Sequence, residues 1–183
     1  WLGNVIDLPQ GHPDIEPLRI ANKILGGGMS GRLFLNLREE KGLTYGAYSN
    51  FGVDQLNSTF SASAKVRNEV TDSAIVEFLH ELNTIRTVKV SKKDIVAAKS
   101  SLSGSFGRSL ENSSSAASFA VNIARYDLDA DYYNKYLSRI LNVVLVLIYL
   151  SGIYQFRPND YQIKFLDCLD DCKSWKEQII SNS

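Results

Sequence analysis

The chain has 183 residues, the size of one ordinary domain with a substantial buried core. Its 44% hydrophobic and 22% charged residues lie in the globular range and exclude a disordered or collagen-like chain. The 20 Lys and Arg balance the 20 Asp and Glu, which argues against nucleic acid as the main partner because a phosphate-binding surface needs a basic excess. His12 and His80 are the only histidines, so this chain cannot supply three histidines to a metal.

The first 66 residues predict a strand, two helices and a β-hairpin, in that order. Residues 2–8 are strand-like. Apolar residues at helical spacing predict a helix over Ile15–Leu25, and a second helix over residues 32–41 ends at a glycine. Residues 43–53 and Ser58–Val66 are again strand-like, and the polar turn between them predicts a hairpin.

Helices predominate after the hairpin. They are predicted over residues 70–85, from a Ser91 cap to residue 110, and over Ser113–Tyr126. Two more are predicted over 131–141 and 144–154, followed by a strand over 161–166 and a terminal helix that contains Trp175. This order predicts an α+β fold, in which helices cover one face of a mainly antiparallel sheet.

The most conspicuous motif is rich in glycine. Gly26, Gly27, Gly28 and Gly31 formally contain the dinucleotide pattern G-x-G-x-x-G, but that site requires a preceding strand, and here a helix precedes the motif. The phosphate-loop pattern also fails, because Arg32 replaces its lysine and a leucine replaces its metal-binding hydroxyl. We therefore interpret the stretch as a flexible connection between two helices.

Arg38 and Tyr45 are the second candidate, because they flank a predicted helix-to-strand corner. An arginine and a tyrosine brought together there can both donate to one carbonyl oxygen. In the structural alternative, Arg38 pairs with Glu39 or another neighbour, and Tyr45 belongs to the core with its hydroxyl at the surface. Local chemistry by itself favours the alternative.

Other residue patterns offer little chemistry. His80 and the glutamate after it lack the second histidine of H-E-x-x-H, and no G-x-S-x-G elbow occurs. Cys168 and Cys172 are predicted to be free thiols on the terminal helix. The most apolar run, residues 143–150, is too short to span a bilayer. The residues alone therefore indicate a domain that binds a partner or a substrate.

Three motifs in order extend that interpretation. They are GHPD at residues 11–14, ANKILGG at 21–27 and SGRLFLNLREEKGLTYGAY at 30–48. Together they resemble the pitrilysin/insulinase family of zinc metallopeptidases, which includes the mitochondrial processing peptidases, and in particular its C-terminal-type domain without zinc. VSKKDIVAAK at 90–99 and FRPNDYQI at 156–163 also resemble the family, so the resemblance covers nearly the whole chain.

The resemblance implies that residues 1–183 form one such domain, as a piece of a longer protein, and that paired homologous domains enclose a chamber. One domain binds zinc through H-x-x-E-H and a distal glutamate. Arg38 and Tyr45 of the opposite domain would then reach the substrate backbone, with Tyr45 stabilising the oxyanion. Gly26, Gly27, Gly28 and Gly31 would lie near the substrate, and edge strands would hold the peptide by strand addition.

The chain lacks H-x-x-E-H, so alone it would bind no catalytic zinc and cleave nothing. Zinc is expected in a homologous partner domain, on the same chain or on another subunit. The expected function is the substrate-binding, non-zinc half of a metalloendopeptidase that acts on extended peptides in a closed chamber, with no nucleic acid or membrane partner. The alternative is a structural or peptide-binding homologue that lost proteolysis. The sequence predicts a soluble domain but not its compartment: the bacterial periplasm, the cytoplasm and the mitochondrial matrix all stay open.

Overall fold

The computed structural model describes residues 1–143 and the backbone of residues 162–163. The elements in chain order are β1 (Leu2–Ile6), α1 (Ile15–Leu25), α2 (Arg32–Phe34) with a π-helical continuation (Leu35–Glu40), β2 (Thr44–Val53), β3 (Ser58–Val66), a 3₁₀ turn (Asn68–Val70), α3 (Thr71–Thr87), α4 (Lys92–Leu110), α5 (Ser113–Tyr126), α6 (Tyr136–Asn142) and β4 (Gln162–Ile163).

The sheet has the strand order β2-β3-β1-β4, and every neighbouring pair is antiparallel. The predicted hairpin joins β2 and β3, and its turn is closed by the Asp54 N–H, which donates to the Asn57 carbonyl at 3.1 Å. The first strand of the chain lies between β3 and β4, so β1 pairs with residues distant in sequence on both sides. In this strand order β2 forms one edge of the sheet built by the described residues.

One face of the sheet carries the core. In β3, Phe60 and Ala62 are buried while Thr59 and Ser63 are exposed, which is the period-two alternation of a half-covered strand. Burying these apolar side chains against the helices removes their surface from water, the main favourable term in folding. The helical side of the core includes Ile15, Ile20, Ile24, Leu33, Leu37, Phe78, Leu82 and Ile140. The predicted α+β fold is thereby confirmed.

Two helices differ from the prediction. The second predicted helix is largely π-helical, because the Lys41 N–H donates to the Asn36 carbonyl, five residues back, at 3.0 Å. The helix predicted from residue 131 begins at Tyr136 instead. The Tyr132 carbonyl accepts a 2.7 Å hydrogen bond from the Arg139 guanidinium, and the Tyr136 N–H donates to the Tyr133 carbonyl. The preceding residues therefore form turns.

Several predictions lie outside the described residues. These are the helix over 144–154, most of the strand over 161–166, the terminal helix with Trp175, and the thiols of Cys168 and Cys172. Within the described part, Gln162–Ile163 is a strand, as predicted, and pairs with β1.

Candidate functional site

The helix-to-strand corner that carries Arg38 is built on two fully buried leucines, Leu33 and Leu37. The Leu43 N–H donates to the Leu37 carbonyl at 2.8 Å, which closes the helix end. Gly42 has φ +63°, the left-handed conformation that glycine adopts without steric cost at helix C-termini. The buried leucines and this turn direct Arg38 to the exposed side of the corner.

Arg38 makes two local contacts. Its Nε lies 3.5 Å from Oε1 of Glu39, and its guanidinium lies 4.8 Å from the ring centroid of the buried Phe34. The pairing with Glu39 is the one that the structural alternative predicts. Both partners are exposed, so solvent screens this ion pair and it contributes little stability. The guanidinium has no other hydrogen-bond partner among residues 1–143, and its remaining donors are available.

Tyr45 lies in a β-bulge at the start of β2. Thr44 pairs with Val66, whereas Ala47 pairs with Ala64, so three steps along β2 correspond to two along β3. The Thr44 hydroxyl fixes the bulge, because it donates to the Lys65 carbonyl at 2.7 Å and accepts from the Gly46 N–H at 3.2 Å. Bulges redirect side chains, and Tyr45 is 95% exposed. The alternative that placed Tyr45 in the core is therefore wrong.

The Gly-rich loop packs directly on the edge of β2. The Ser49 N–H donates to the Gly26 carbonyl at 2.9 Å, and the Gly31 N–H donates to the Gly28 carbonyl at 3.0 Å. A Cβ at Gly26 would lie only 2.5 Å from the Ser49 nitrogen, and one at Gly27 would lie 2.7 Å from the α-carbon of Lys23. The stretch connects two helices, as predicted, and these close backbone contacts place it against β2.

A groove of about 500 Å³ runs between the C-terminal half of α1 and the edge of β2. Its lining includes the apolar side chains of Phe51 and Leu102 and the ring of Tyr48. The Tyr48 ring lies 5.8 Å from the ring of Phe34, over which Arg38 is stacked. The remaining lining residues are Arg19, Asn22, Lys23, Gly26, Gly27, Gly28, Ser49 and Asn50.

Most of the predicted site residues therefore meet around one surface. Gly26, Gly27 and Gly28 line the groove, and Arg38 is connected to it through Phe34 and Tyr48. Gly31 is not among the lining residues, and a Cβ added to it would lie 2.8 Å from the α-carbon of Gly26. Among the described residues no hydrogen bond joins Arg38 to Tyr45.

The sequence interpretation missed the groove itself. One signal was available, because Arg19, Asn22 and Lys23 follow i, i+3, i+4 spacing on the helix before the glycines and therefore share one face. Tyr48 and Phe51 carried no comparable signal, since their proximity to α1 depends on the hydrogen bond between loop and strand.

A second polar cluster fixes the π-helical segment to α3. Asn36 is buried, with 7% of its surface exposed. Its Nδ2 donates to Oε2 of Glu77 at 3.0 Å and to Oε1 of Glu81 at 2.9 Å. Lys41 Nζ lies 3.4 Å from Oε1 of Glu77. The hydrogen bond from Asn36, assisted by the charge of Lys41, lowers the pKa of Glu77 below its ordinary value of 4.5.

The described part of the chain contains neither a group of candidate metal ligands nor a membrane-spanning helix. Over residues 1–143 and 162–163, no three or more His, Cys, Asp or Glu side chains are grouped so that they could hold a metal ion. No helix in this same part has both the length and the apolar character needed to cross a membrane.

Residues 2–102 match the family model described as the peptidase M16 inactive domain. The uncharacterized zinc protease YmxG of Bacillus subtilis is 31% identical over 111 residues, which cover 59% of this chain but only 26% of YmxG. The chain thus spans about a quarter of the length of that relative.

Solved structures share the fold at low sequence identity. A peptidase M16 inactive domain from Pseudomonas fluorescens has a TM-score of 0.75 at 23% identity, covering 84% of this chain and 37% of that one. A Helicobacter pylori protease has a TM-score of 0.77 at 21% identity, covering 87% and 38%. An inactive peptidase domain from Bordetella parapertussis has a TM-score of 0.70 at 18% identity, covering 88% of each chain.

Fold and site thus define a class of protein: an α+β domain with a groove at an edge strand and no metal-ligand cluster among its described residues. The chain belongs to the M16, or pitrilysin/insulinase, peptidase family and corresponds to its C-terminal-type inactive domain.

Proposed function

We propose that this chain is the substrate-binding, non-zinc half of a zinc-dependent metalloendopeptidase. The zinc and its H-x-x-E-H ligands belong to a homologous partner domain, on the same polypeptide or on a separate subunit. Family membership supports this assignment, as does the description of its relative YmxG as a zinc protease. The observation that carries the proposal is the exposure of Arg38 and Tyr45 on one helix-to-strand corner next to a groove.

The substrate in this proposal is an extended peptide held along β2. The N–H of Ser49 is already bonded to Gly26, so the strand edge is closed at that residue. Because the backbone groups of a strand alternate in direction, those of Phe51 and Val53 point to the same edge as Ser49. Phe51 also lines the groove, which supports strand addition beginning just beyond Ser49.

Arg38 and Tyr45 supply hydrogen-bond donors for the substrate carbonyl in this scheme. The partner domain's zinc, when bound, would supply the activated water. On this chain, Arg38 positions the peptide backbone and the Tyr45 hydroxyl donates to the oxygen that becomes negative in the tetrahedral intermediate. The Arg38 guanidinium stacks on the buried Phe34, and the bulge that carries Tyr45 is fixed by the Thr44 hydroxyl. The two side chains therefore need little rearrangement to meet the substrate.

The test replaces these donors in the complete enzyme. Arg38→Ala and Tyr45→Phe are each expected to lower turnover of an extended peptide about 10-fold or more, because each removes a donor to developing charge. Zinc content should be unchanged. Arg108→Ala, at the far end of α4, is the matched control for loss of an exposed arginine, and Tyr126→Phe controls for loss of a phenol hydroxyl.

The competing function is a structural or peptide-binding homologue without proteolysis. It predicts no peptide turnover by the wild type or by either variant, and unchanged folding of Arg38→Ala and Tyr45→Phe, since a scaffold needs neither donor. Wild-type turnover in both variants would overturn the proposed catalytic role. An H-x-x-E-H motif in the preceding sequence or in an adjacent subunit would separate the two functions without any experiment on this chain.

A further inference from the structure

The groove between α1 and β2 has a basic wall that the proposed Arg38 and Tyr45 chemistry does not use. Arg19 and Lys23 are one helical turn apart on α1, and both line the groove. Two cations at one surface favour an anionic group in the ligand, provided that their charge is not already compensated within the protein.

Lys23 is compensated locally. Its Nζ donates to the Gly27 carbonyl at 2.6 Å, just beyond the end of α1. The last carbonyls of a helix carry partial negative charge, which a lysine at this position offsets. Lys23 therefore closes the helix and holds the Gly-rich loop, and it contributes little free charge to the groove.

Arg19 is not compensated within the described part of the chain. Neither an ion pair nor a hydrogen bond involves its side chain among residues 1–143. Glu16, one turn earlier on α1, is instead bound by Arg139, with 2.8 Å between Arg139 Nε and Glu16 Oε1. Burial raises the pKa of the nearby Tyr132 and Tyr136 phenols, so these groups stay neutral and offer no counter-charge.

We propose that Arg19 makes this groove selective for extended peptides that carry an acidic side chain beside α1. The inference rests on the proposed peptide-binding role and specifies its substrate class. A peptide added along β2 beyond Ser49 projects alternate side chains to the helix side of the sheet, toward α1. A carboxylate there can accept two parallel hydrogen bonds from the guanidinium, while neighbouring apolar side chains contact Phe51 and Leu102.

Binding of labelled peptides to the full 183-residue chain tests this inference without requiring catalysis. The probes are ten-residue peptides with blocked ends and a single glutamate as their only charged residue, placed at successive positions, and each is paired with a twin that carries glutamine there. Fluorescence anisotropy at low salt gives both affinities. We expect the best glutamate peptide to bind about fivefold more tightly than its twin, which is the size of one typical net hydrogen bond at a partly solvated site.

Arg19→Gln should abolish this preference while leaving the affinity for the glutamine twin nearly unchanged. Lys92→Gln removes the same charge ten residues before Leu102, about 15 Å along α4, and should retain the full preference. Lys23→Gln should weaken both peptides alike, because it loosens the loop. Urea unfolding of each variant checks that the fold is intact.

Three outcomes would overturn the inference. Equal binding of every glutamate peptide and its twin, or a preference that survives in Arg19→Gln, contradicts selection by Arg19 and leaves the proposed peptide-binding role standing. Failure of all peptides to bind contradicts strand addition at the groove together with the inference. Turnover of Arg38→Ala and Tyr45→Phe in the complete enzyme tests the catalytic role separately.

Discussion

Single glycines determine the shape of the groove. Gly26 has a negative φ of −156°, outside the left-handed region, and the constraint that the structure shows on it is steric. The Ser49 backbone and the Leu33 side chain both lie within 3 Å of where a Cβ would be. Gly107, exposed in the last turn of α4, has no heavy atom within 4 Å of that position. Two glycines of the same chain thus have opposite structural roles.

Gly26→Ala should lower the free energy of unfolding by about 2–4 kcal/mol, since the methyl group overpacks the loop and strains the hydrogen bond to Ser49. Gly107→Ala should raise it by about 0.5–1 kcal/mol, because alanine loses less conformational entropy in a helix. Urea unfolding of both variants measures the contrast. Similar effects at the two sites would contradict close contact between loop and strand.

At the scale of elements, the π-helical segment and α3 are joined by a shared amide. Asn36 and Glu77 are 41 residues apart in sequence, yet their side chains are 3.0 Å apart. Asn36 and Leu37 follow the fully buried Leu33 at i+3 and i+4, so they lie on the same inward face of the segment. Leu37 and Asn36 are consequently both buried, and Arg38 is left on the exposed side.

Because the pKa of Glu77 is lowered in the folded chain, its charged form stabilises the fold at pH values above the unfolded pKa, near 4.5. This contribution is lost as pH falls through the lower, folded pKa. At pH 7, Glu77→Gln should therefore be less stable than the wild type by about 1 kcal/mol, the net contribution of one hydrogen bond. The difference should shrink on acidification below about 4.5.

Denaturant unfolding at several pH values between 7 and about 3 follows that difference. Glu69→Gln is the matched control, because Glu69 is exposed and has no hydrogen bond among the described residues. A stability difference between Glu77→Gln and the wild type that grows on acidification would contradict the assigned direction of the pKa change.

At the scale of the whole molecule, one ion pair joins the two ends of the described chain. Glu16 on α1 and Arg139 on α6 are 123 residues apart, and the Glu16 side chain is only 5% exposed. Arg139 also donates to the Tyr132 carbonyl at 2.7 Å and stacks 3.9 Å from the Tyr132 ring centroid. The guanidinium thus fixes both the start of α6 and its position against α1.

Glu16→Leu should lower the free energy of unfolding by about 3–5 kcal/mol, because it leaves Arg139 charged, largely buried and without its counter-ion. The double variant Glu16→Leu with Arg139→Leu should cost less than the sum of the two single changes, since no unpaired charge remains. A double-mutant cycle by urea unfolding measures this coupling. Asp131→Asn, which breaks the exposed pair with Lys135, should change the unfolding midpoint little.

The sequence by itself determined the elements whose signals are local. The apolar period places α1, β3 and α5 at the predicted residues, and the Ser91 hydroxyl caps α4 by accepting from the Asp94 N–H at 3.1 Å. Gly42 ends its helix for an equally local reason. The motif order also identified the family, and with it Arg38 and Tyr45 as candidates.

Only the tertiary structure decided the groove, the bulge and the π-helical turn. Each depends on partners distant in sequence: Gly26 on Ser49, Thr44 on Lys65, and Asn36 on Glu77. The periodicity of apolar side chains shows which face of an element is buried. It does not show which residue, distant in sequence, forms a hydrogen bond with a given polar group of that element. Exposure of Tyr45 and the uncompensated charge of Arg19 follow from those distant partners and could not be derived from the sequence.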